Sequence, residues 1–156
     1  PNRSSLLNVV VAGLIVAVCI ALVPVWRPLD GRVGAPAALV GDAPPGVTAA
    51  LRDLAKPGDR LFNPQPWGSW LEFAVPHTLM AIDSRIELFS AQAWSDYEAV
   101  RGGGPSWQET LSRLDPEFVI AESAETELVA RLVAGGWREV YRDEDGSILM
   151  TAEHRP

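Results

Sequence analysis

The sequence predicts an α/β fold: one N-terminal transmembrane helix followed by a mixed-sheet α/β domain, with helices covering the sheet and a C-terminal β-hairpin. Three observations carry this. Residues 6–26, LLNVVVAGLIVAVCIALVPVW, hold no formal charge. Beyond residue 44, short apolar runs of strand composition alternate with segments whose apolar residues recur at helical spacing, the pattern of a sheet with helices packed on it. At the end of the chain, two strand-like runs flank Asp143-Glu144-Asp145-Gly146, a sequence suited to a tight turn.

A helix over Leu6–Trp26 would be about 31 Å long, close to the roughly 30 Å hydrocarbon thickness of a bilayer. A cleaved signal peptide has a shorter apolar centre, and a buried core helix normally shows a polar face or stops sooner. Only Asn8 and Pro24 interrupt the run; Pro24 falls in the last turn, and Trp26 where interfacial aromatics sit. Basic residues stand on both sides, Arg3 before and Arg27 and Arg32 after, so local charge leaves the orientation open. The sequon Asn2-Arg3-Ser4 lies so close to the span that it reads as ordinary juxtamembrane sequence. Because the chain starts at Pro1 rather than Met, we read it as the tail of a larger membrane protein. The expected partners are the lipid bilayer and upstream transmembrane helices of the same protein.

Residues 27–43 read as a linker, since Pro28, Pro36, Gly31, Gly34 and Gly41 cannot propagate a helix. The soluble α/β domain is expected over residues 44–153. Val47, Leu51, Leu54 and Ala55 predict a helix over about 46–56, stopped at Pro57-Gly58. Arg60–Asn63 reads as a buried strand ended by Pro64, and Thr78–Asp83 as a second, with Ile86–Phe89 prolonging it or standing alone. Between them, "NPQPWGSW" at 63–70 reads as a packing corner. Trp67 and Trp70 share a face on a short turn, with Trp67 the more exposed of the two; the other use of such a pair is a platform facing a ligand.

Further on, Ser90 caps a helix with Trp94, Tyr97 and Val100 that ends at the glycines 102–104. Ser106 with Glu109 matches a capping box, opening a helix that buries Trp107, Leu111 and Leu114. Phe118–Ala121 is a compact strand, and Leu128, Val129, Leu132 and Val133 place a helix over about 125–134 that stops at Gly135-Gly136. Trp137–Arg142 and Ser147–Thr151 close the hairpin, with Gly146 supplying the positive φ of its turn.

Composition narrows the chemistry. Acidic residues outnumber basic ones by 20 to 13, a net charge of −7, and from residue 28 onward 20 acids face 11 bases, a net −9. Phosphate contacts need clustered bases, so a nucleic-acid partner is excluded, and an acidic surface resists adhesion to an anionic membrane face. The single cysteine, Cys19, allows no intrachain disulfide and no multi-cysteine zinc site. No metal and no cofactor are expected: the turn at 143–146 lacks calcium-loop spacing, and the glycines within Arg101–Trp107 come without a P-loop lysine or a dinucleotide fingerprint. Ser69 lacks the second glycine of a nucleophile elbow, and His77 and His154 are the only histidines.

The best polar constellation is "IDSRIELF", residues 82–89. Asp83 is expected at the carboxyl end of a strand, where open α/β sheets commonly place ligand groups, with Arg85 and Glu87 alternating beyond it. Two carboxylates could serve acid–base chemistry, and the arginine between them could hold a phosphate or carboxylate. The competing use is a salt-bridged strand end that orders the following loop.

Taken together, Asn63-Pro64, Trp67-Gly68-Ser69-Trp70, Ile82-Asp83-Ser84-Arg85-Ile86-Glu87-Leu88-Phe89, Tyr97, Trp107, Gly136-Trp137 and Val140-Tyr141-Arg142-Asp143 resemble the C-terminal region of bacterial polytopic membrane proteins of the GT-C glycosyltransferase type, the protein O-mannosyltransferase-like group. In that group a last transmembrane helix leads into a soluble α/β domain. The resemblance implies sugar transfer from a polyprenyl-phosphate donor at the extracytoplasmic face of the cell membrane, with a glycan or lipid-linked sugar as ligand. It places the catalytic carboxylate in an early loop between N-terminal helices, so no catalytic residue carries over to these residues. Asn63, Trp67, Trp70, Asp83, Arg85 and Glu87 are then candidate ligand or inter-domain contacts, and the implied role is acceptor binding or support of the helical body. A non-enzymatic scaffold or interaction module of a polytopic membrane protein is the alternative, and an independent hydrolase using Asp83 and Glu87 a third reading.

Overall fold

A computed structural model describes residues 3–23, 29–30, 35–36 and 43–151. The chain divides into two compact units, Pro1–Gly41 and Asp42–Pro156. In the first, α1 (Arg3–Ala21) exposes its apolar side chains all the way round from Leu6 onward. Among the described residues no helix is long and apolar enough to cross a membrane; residues 24–26 of the expected 6–26 span lie outside the described residues. The helix opens on Arg3 and stops at Ala21, leaving a charge-free helical stretch from Ser4 of about 27 Å, against the roughly 30 Å hydrocarbon layer. Pro24 accounts for the stop, because a proline drives the residue before it out of the α region. Within the expected linker, β1 (Leu29–Asp30) and β2 (Ala35–Pro36) pair antiparallel; Pro24, Trp26 and most of the remaining linker lie outside the described residues.

The second unit runs α2 (Pro45–Leu54), β3 (Arg60–Phe62), α3 (Gln65–Ala74), β4 (Leu79–Met80), α4 (Ala91–Gly102), α5 (Trp107–Leu114), β5 (Phe118–Glu122), α6 (Thr126–Ala134), β6 (Arg138–Arg142) and β7 (Gly146–Met150). Its five-stranded sheet has the order β4-β3-β5-β7-β6. The first three strands are parallel, β7 is antiparallel to β5, and β6 closes the hairpin on β7 with a register shift between Glu139 and Tyr141. The mixed α/β sheet and terminal hairpin read from the sequence are therefore both present.

Alternation along the strands builds two cores. Leu61, Phe118, Ile120, Ile148 and Met150 pack with Val47 and Leu51 of α2 and Trp67 and Leu71 of α3 on one face. Phe62, Val119, Ala121 and Leu149 meet Tyr97 and Val100 of α4, Leu111 of α5 and Leu128 and Leu132 of α6 on the other. β7 is buried on both faces, hence its run of apolar residues. Each fully buried Leu, Ile or Phe contributes about 1.5–3 kcal/mol, so this sandwich of helices and sheet is the main source of stability.

Four local expectations change. "NPQPWGSW" opens a ten-residue helix rather than a turn: Pro64 is the N-cap of α3 and Pro66 sits in its first turn, where a missing N–H costs nothing. The second strand shortens to β4, and Ile86–Leu88 forms a 3-10 turn. Ser90 does cap α4, accepting from Ala93 N–H at 3.1 Å, and Gly103 ends it at φ 66°; Ser106 makes no side-chain cap bond, so the capping box does not form. Gly146 is not a positive-φ residue. The hairpin turn is held instead by the Asp143 carboxylate, which accepts from Asp145 N–H (2.9 Å), Gly146 N–H (3.0 Å) and the Tyr141 hydroxyl (2.8 Å).

Candidate functional site

Helix α3 and the loop after β4 meet at the carboxyl end of the sheet. The close approach is set by Gly68: a β-carbon there would lie 2.2 Å from the Ile82 carbonyl oxygen and 2.6 Å from Asp83 Cα. From β3, Asn63 stitches the same loop in place. Its Nδ2 donates to the carbonyls of Ile82 (2.8 Å) and Pro64 (3.0 Å), and its Oδ1 accepts from Ala81 N–H (3.1 Å). Asn63 is fully buried, so these bonds answer the demand that a buried amide be satisfied.

Asp83, 4% exposed, is engaged through both oxygens. Arg85 N–H donates to Oδ1 at 2.7 Å and Arg85 Nε to Oδ2 at 2.9 Å, while Nη2 reaches Oδ2 as well. The same Nη2 donates to Glu72 Oε2 on α3 at 2.6 Å. The guanidinium holds the Asp83 carboxyl below its usual range against the opposing effect of burial, and the two carboxylates raise Arg85 in turn. Ser69 and Ser84 hydroxyls, 2.5 Å apart, add a further tie between α3 and the loop. The arrangement is a latch. Asp83, ionised and occupied, is poorly suited to general acid–base work.

The remaining sequence candidates fall on different surfaces. Trp67 is 9% exposed and belongs to the core, so the packing-corner reading holds while the expectation that Trp67 would be the more exposed tryptophan is corrected. Trp70, one turn nearer the end of α3, is half-buried and donates its indole N–H to Thr48 Oγ1 at 2.9 Å. Glu87 is exposed on the 3-10 turn between Ile86 and Leu88, themselves exposed. Asn63, Asp83 and Arg85 are thus brought together; Trp70 and Glu87 are not part of that cluster.

A second network fills the space between the ends of β3 and β5. The buried Tyr97 hydroxyl accepts from Gln65 N–H at 2.8 Å, satisfying a first-turn donor of α3, and from Arg101 Nη1 at 3.1 Å. Arg101 Nε donates to Glu125 Oε1 at 2.6 Å, and Glu125 Oε2 accepts from Glu122 N–H at 2.8 Å. Burial pushes the Tyr97 phenol up.

The open concavity lies at the opposite end of the sheet, where the sequence singled out no ligand residue. A groove of about 820 Å³ is lined by Trp107 and Gln108 of α5, by Asp115 and Glu117 ahead of β5, and by Gly135, Gly136 and Trp137 ahead of β6. Arg60 donates from Nη2 to Asp115 Oδ2 (2.5 Å) and Glu117 Oε1 (3.0 Å), and from its backbone N–H to Glu117 Oε2 (2.6 Å). Burial raises Glu117, but the Arg60 bonds outweigh it and leave this carboxyl low. The sequence signal for the groove is two tryptophans each preceded by loop glycines, 102–104 and 135–136; Trp107 reads there as a buried helix residue and Trp137 as the start of a hairpin strand. Neither the protein-family models, the curated proteins nor the solved structures gave a match to this chain.

Proposed function

We propose that this chain is a membrane-tethered, extracytoplasmic accessory module of a GT-C-type membrane glycosyltransferase, and that the "IDSR" block serves it as a structural latch rather than a catalytic centre. The observation that carries the reading is α1: every described side chain from Leu6 to Val23 is exposed and nearly all are apolar, so the helix requires an apolar environment on all sides. The uncharged sequence runs on past α1 to Trp26, and this N-terminal stretch is the proposed tether. The engagement of Asp83 by Arg85 supports the latch. Ile86 and Leu88, exposed on the turn that the latch fixes, offer an apolar contact to the rest of the protein.

The test has two arms. The full chain, expressed in bacteria, is expected in the membrane fraction after alkaline carbonate extraction; release with the soluble proteins would overturn the tether. In the whole natural protein, sugar transfer from a polyprenyl-phosphate donor is expected to persist per folded molecule in Asp83→Asn. Loss of turnover in a variant with an unchanged melting curve would overturn the latch.

A further inference from the structure

The groove between α5, the loop 115–117 and the turn 135–137 is a ligand site, and we infer that its ligand is a neutral oligosaccharide. The inference needs neither α1 nor the latch. Three features of the groove combine. First, Trp107 and Trp137 each pack part of the indole against the core and leave the rest lining the groove. Arg131 stands over the Trp107 ring at 5.9 Å and donates to the Arg101 carbonyl at 2.7 Å, so that indole is fixed in place. Among the described residues, neither indole N–H has a hydrogen-bond partner.

Second, Asp115 has φ 49°, and among the described residues no other non-glycine residue has a positive φ. A glycine would take that conformation without the Cβ penalty. What aspartate adds is a carboxylate at the groove, and Arg60 holds it beside Glu117. Asp115 Oδ1 makes no bond among the described residues and stays available as an acceptor. This conformation is the left-handed C-cap of α5, its N–H bonded to the Leu111 carbonyl, and it aims the residue's side chain off the helix end.

Third, the charge balance selects the ligand class. The described lining residues include no cation, and Arg60, which borders them, is committed to two carboxylates, so phosphate and polyanionic ligands find no counter-charge. A lipid chain would not suit a groove that mixes Gln108, Ser112, Asp115 and Glu117 with its indoles. A proline-rich peptide docks on closely set aromatic rings, but Trp107 and Trp137 make no ring–ring contact. A sugar chain presents apolar C–H faces alternating with hydroxyl edges. A lining that sets two indoles beside carboxylate and amide groups matches that alternation.

The experiment is isothermal titration calorimetry and tryptophan fluorescence on the full 156-residue chain in neutral detergent. The probes are gluco-, manno- and galacto-configured hexasaccharides, with inorganic phosphate, polygalacturonate and a decaproline peptide alongside. Saturable binding of at least one neutral hexasaccharide is expected. Asp115→Gly, which relieves the positive φ and so keeps the fold, should weaken it several-fold. Trp137→Ala should weaken it by at least about tenfold, the loss typical of a binding hot spot, and Trp137→Phe should recover most of it. Gly135→Leu tests occlusion without replacing either tryptophan: φ there is −81°, its β-carbon would lie 3.3 Å from the Leu132 carbonyl, a contact a shift of a few tenths of an ångström relieves, and 3.8 Å from the Trp107 ring, so a variant whose circular dichroism matches the parent should lose the titration. Absence of binding to every neutral hexasaccharide overturns the inference. So does binding that survives Gly135→Leu, or saturable binding of phosphate, polygalacturonate or decaproline in their place.

Discussion

Replacing Gly68 by alanine sets two known effects against each other. In an ordinary helix interior the exchange stabilises by about 0.5–1 kcal/mol, because glycine loses more backbone freedom on folding. Gly68 lies inside α3 with no positive φ, so that gain should apply. Against it, the new methyl would stand 2.2 Å from the Ile82 oxygen, 2.6 Å from Asp83 Cα and 3.0 Å from Asp83 Cβ. Two of these are backbone atoms tied down by Asn63 and cannot swing away. Normal contacts need roughly 3.5 Å, so α3 and the loop must separate by about 1 Å, an overpacking cost of about 1–3 kcal/mol. The clash wins, and Gly68→Ala should be less stable by about 0.5–2 kcal/mol, lowering Tm by about 3–8 °C. Gly102→Ala is the control: it ends α4 with nothing within 4 Å, and should be neutral to stabilising. Thermal unfolding followed by near-ultraviolet circular dichroism measures both. A Gly68→Ala protein as stable as the parent would mean that α3 does not close on the 82–83 loop, and the latch would go with it.

Removing the guanidinium by Arg85→Ala leaves the buried Asp83 carboxylate with only the backbone N–H, so the variant should melt lower and exchange its 83–88 amides faster than the parent; identical exchange would refute the latch. The folded-state carboxyl groups of Asp83, Asp96, Glu117 and Glu139 are lowered, so each contributes stability that is fully present above the unfolded value, about 3.9–4.3, and is lost as pH falls through the lower folded value. Urea midpoints should be flat from about pH 7 to 5 and drop below about pH 4; a midpoint that rises on acidification contradicts the pairing. Asp143→Ala removes three accepted bonds from the hairpin turn and should cost about 1–3 kcal/mol by urea titration, with no loss expected if Gly146 conformation alone made the turn. Tyr97→Phe strips the acceptor from Gln65 N–H and Arg101 and should cost a similar ~1–3 kcal/mol; a neutral result would mean that water already serves those donors.

Where periodicity was strong, the sequence was legible. α2, α4, β5, α6 and the hairpin stand within a few residues of their expected places because apolar spacing and glycine or proline stops agree there. α3 was hidden because proline, glycine and serine at 64–69 are read locally as turn residues, whereas each has a helical use: a cap, a first-turn proline, a close-packing glycine. Gly146 misled for a related reason. It is glycine because a β-carbon there would sit 2.2 Å from the Ala121 carbonyl on the neighbouring strand, a long-range demand that no local rule contains. The "IDSR" block was correctly seen as polar and placed near a strand end, but its partner Glu72 lies on the helix that went unread. The groove needs the amino ends of β5 and β6 to lie at the same end of the sheet, on either side of β7, a fact of topology.

That topology also accounts for the contrast between the two ends of the sheet. The chain leaves β3 for α3 on one face, and α4, α5 and α6 pack on the other, so the connections diverge between the carboxyl ends of β3 and β5. Open α/β sheets commonly hold their ligands at such a point. Here the protein's own side chains occupy it: Trp67 packs up to Gly146, and Tyr97, Arg101 and Glu125 bond across it. A ligand entering would have to displace hydrogen bonds whose loss costs about 1–3 kcal/mol for each buried group left unpaired. At the other end, β7 runs against its neighbours, so its last residue joins the starts of β5 and β6. Three connections meet there at Asp115–Glu117, Gly135–Trp137 and Thr151, and they leave the groove between them. Reversal of β7, an interior strand beside the central β5, therefore moves the open, aromatic face of this domain to the amino end of its sheet, and a search for its ligand belongs there rather than at the end where the fold class alone would direct it.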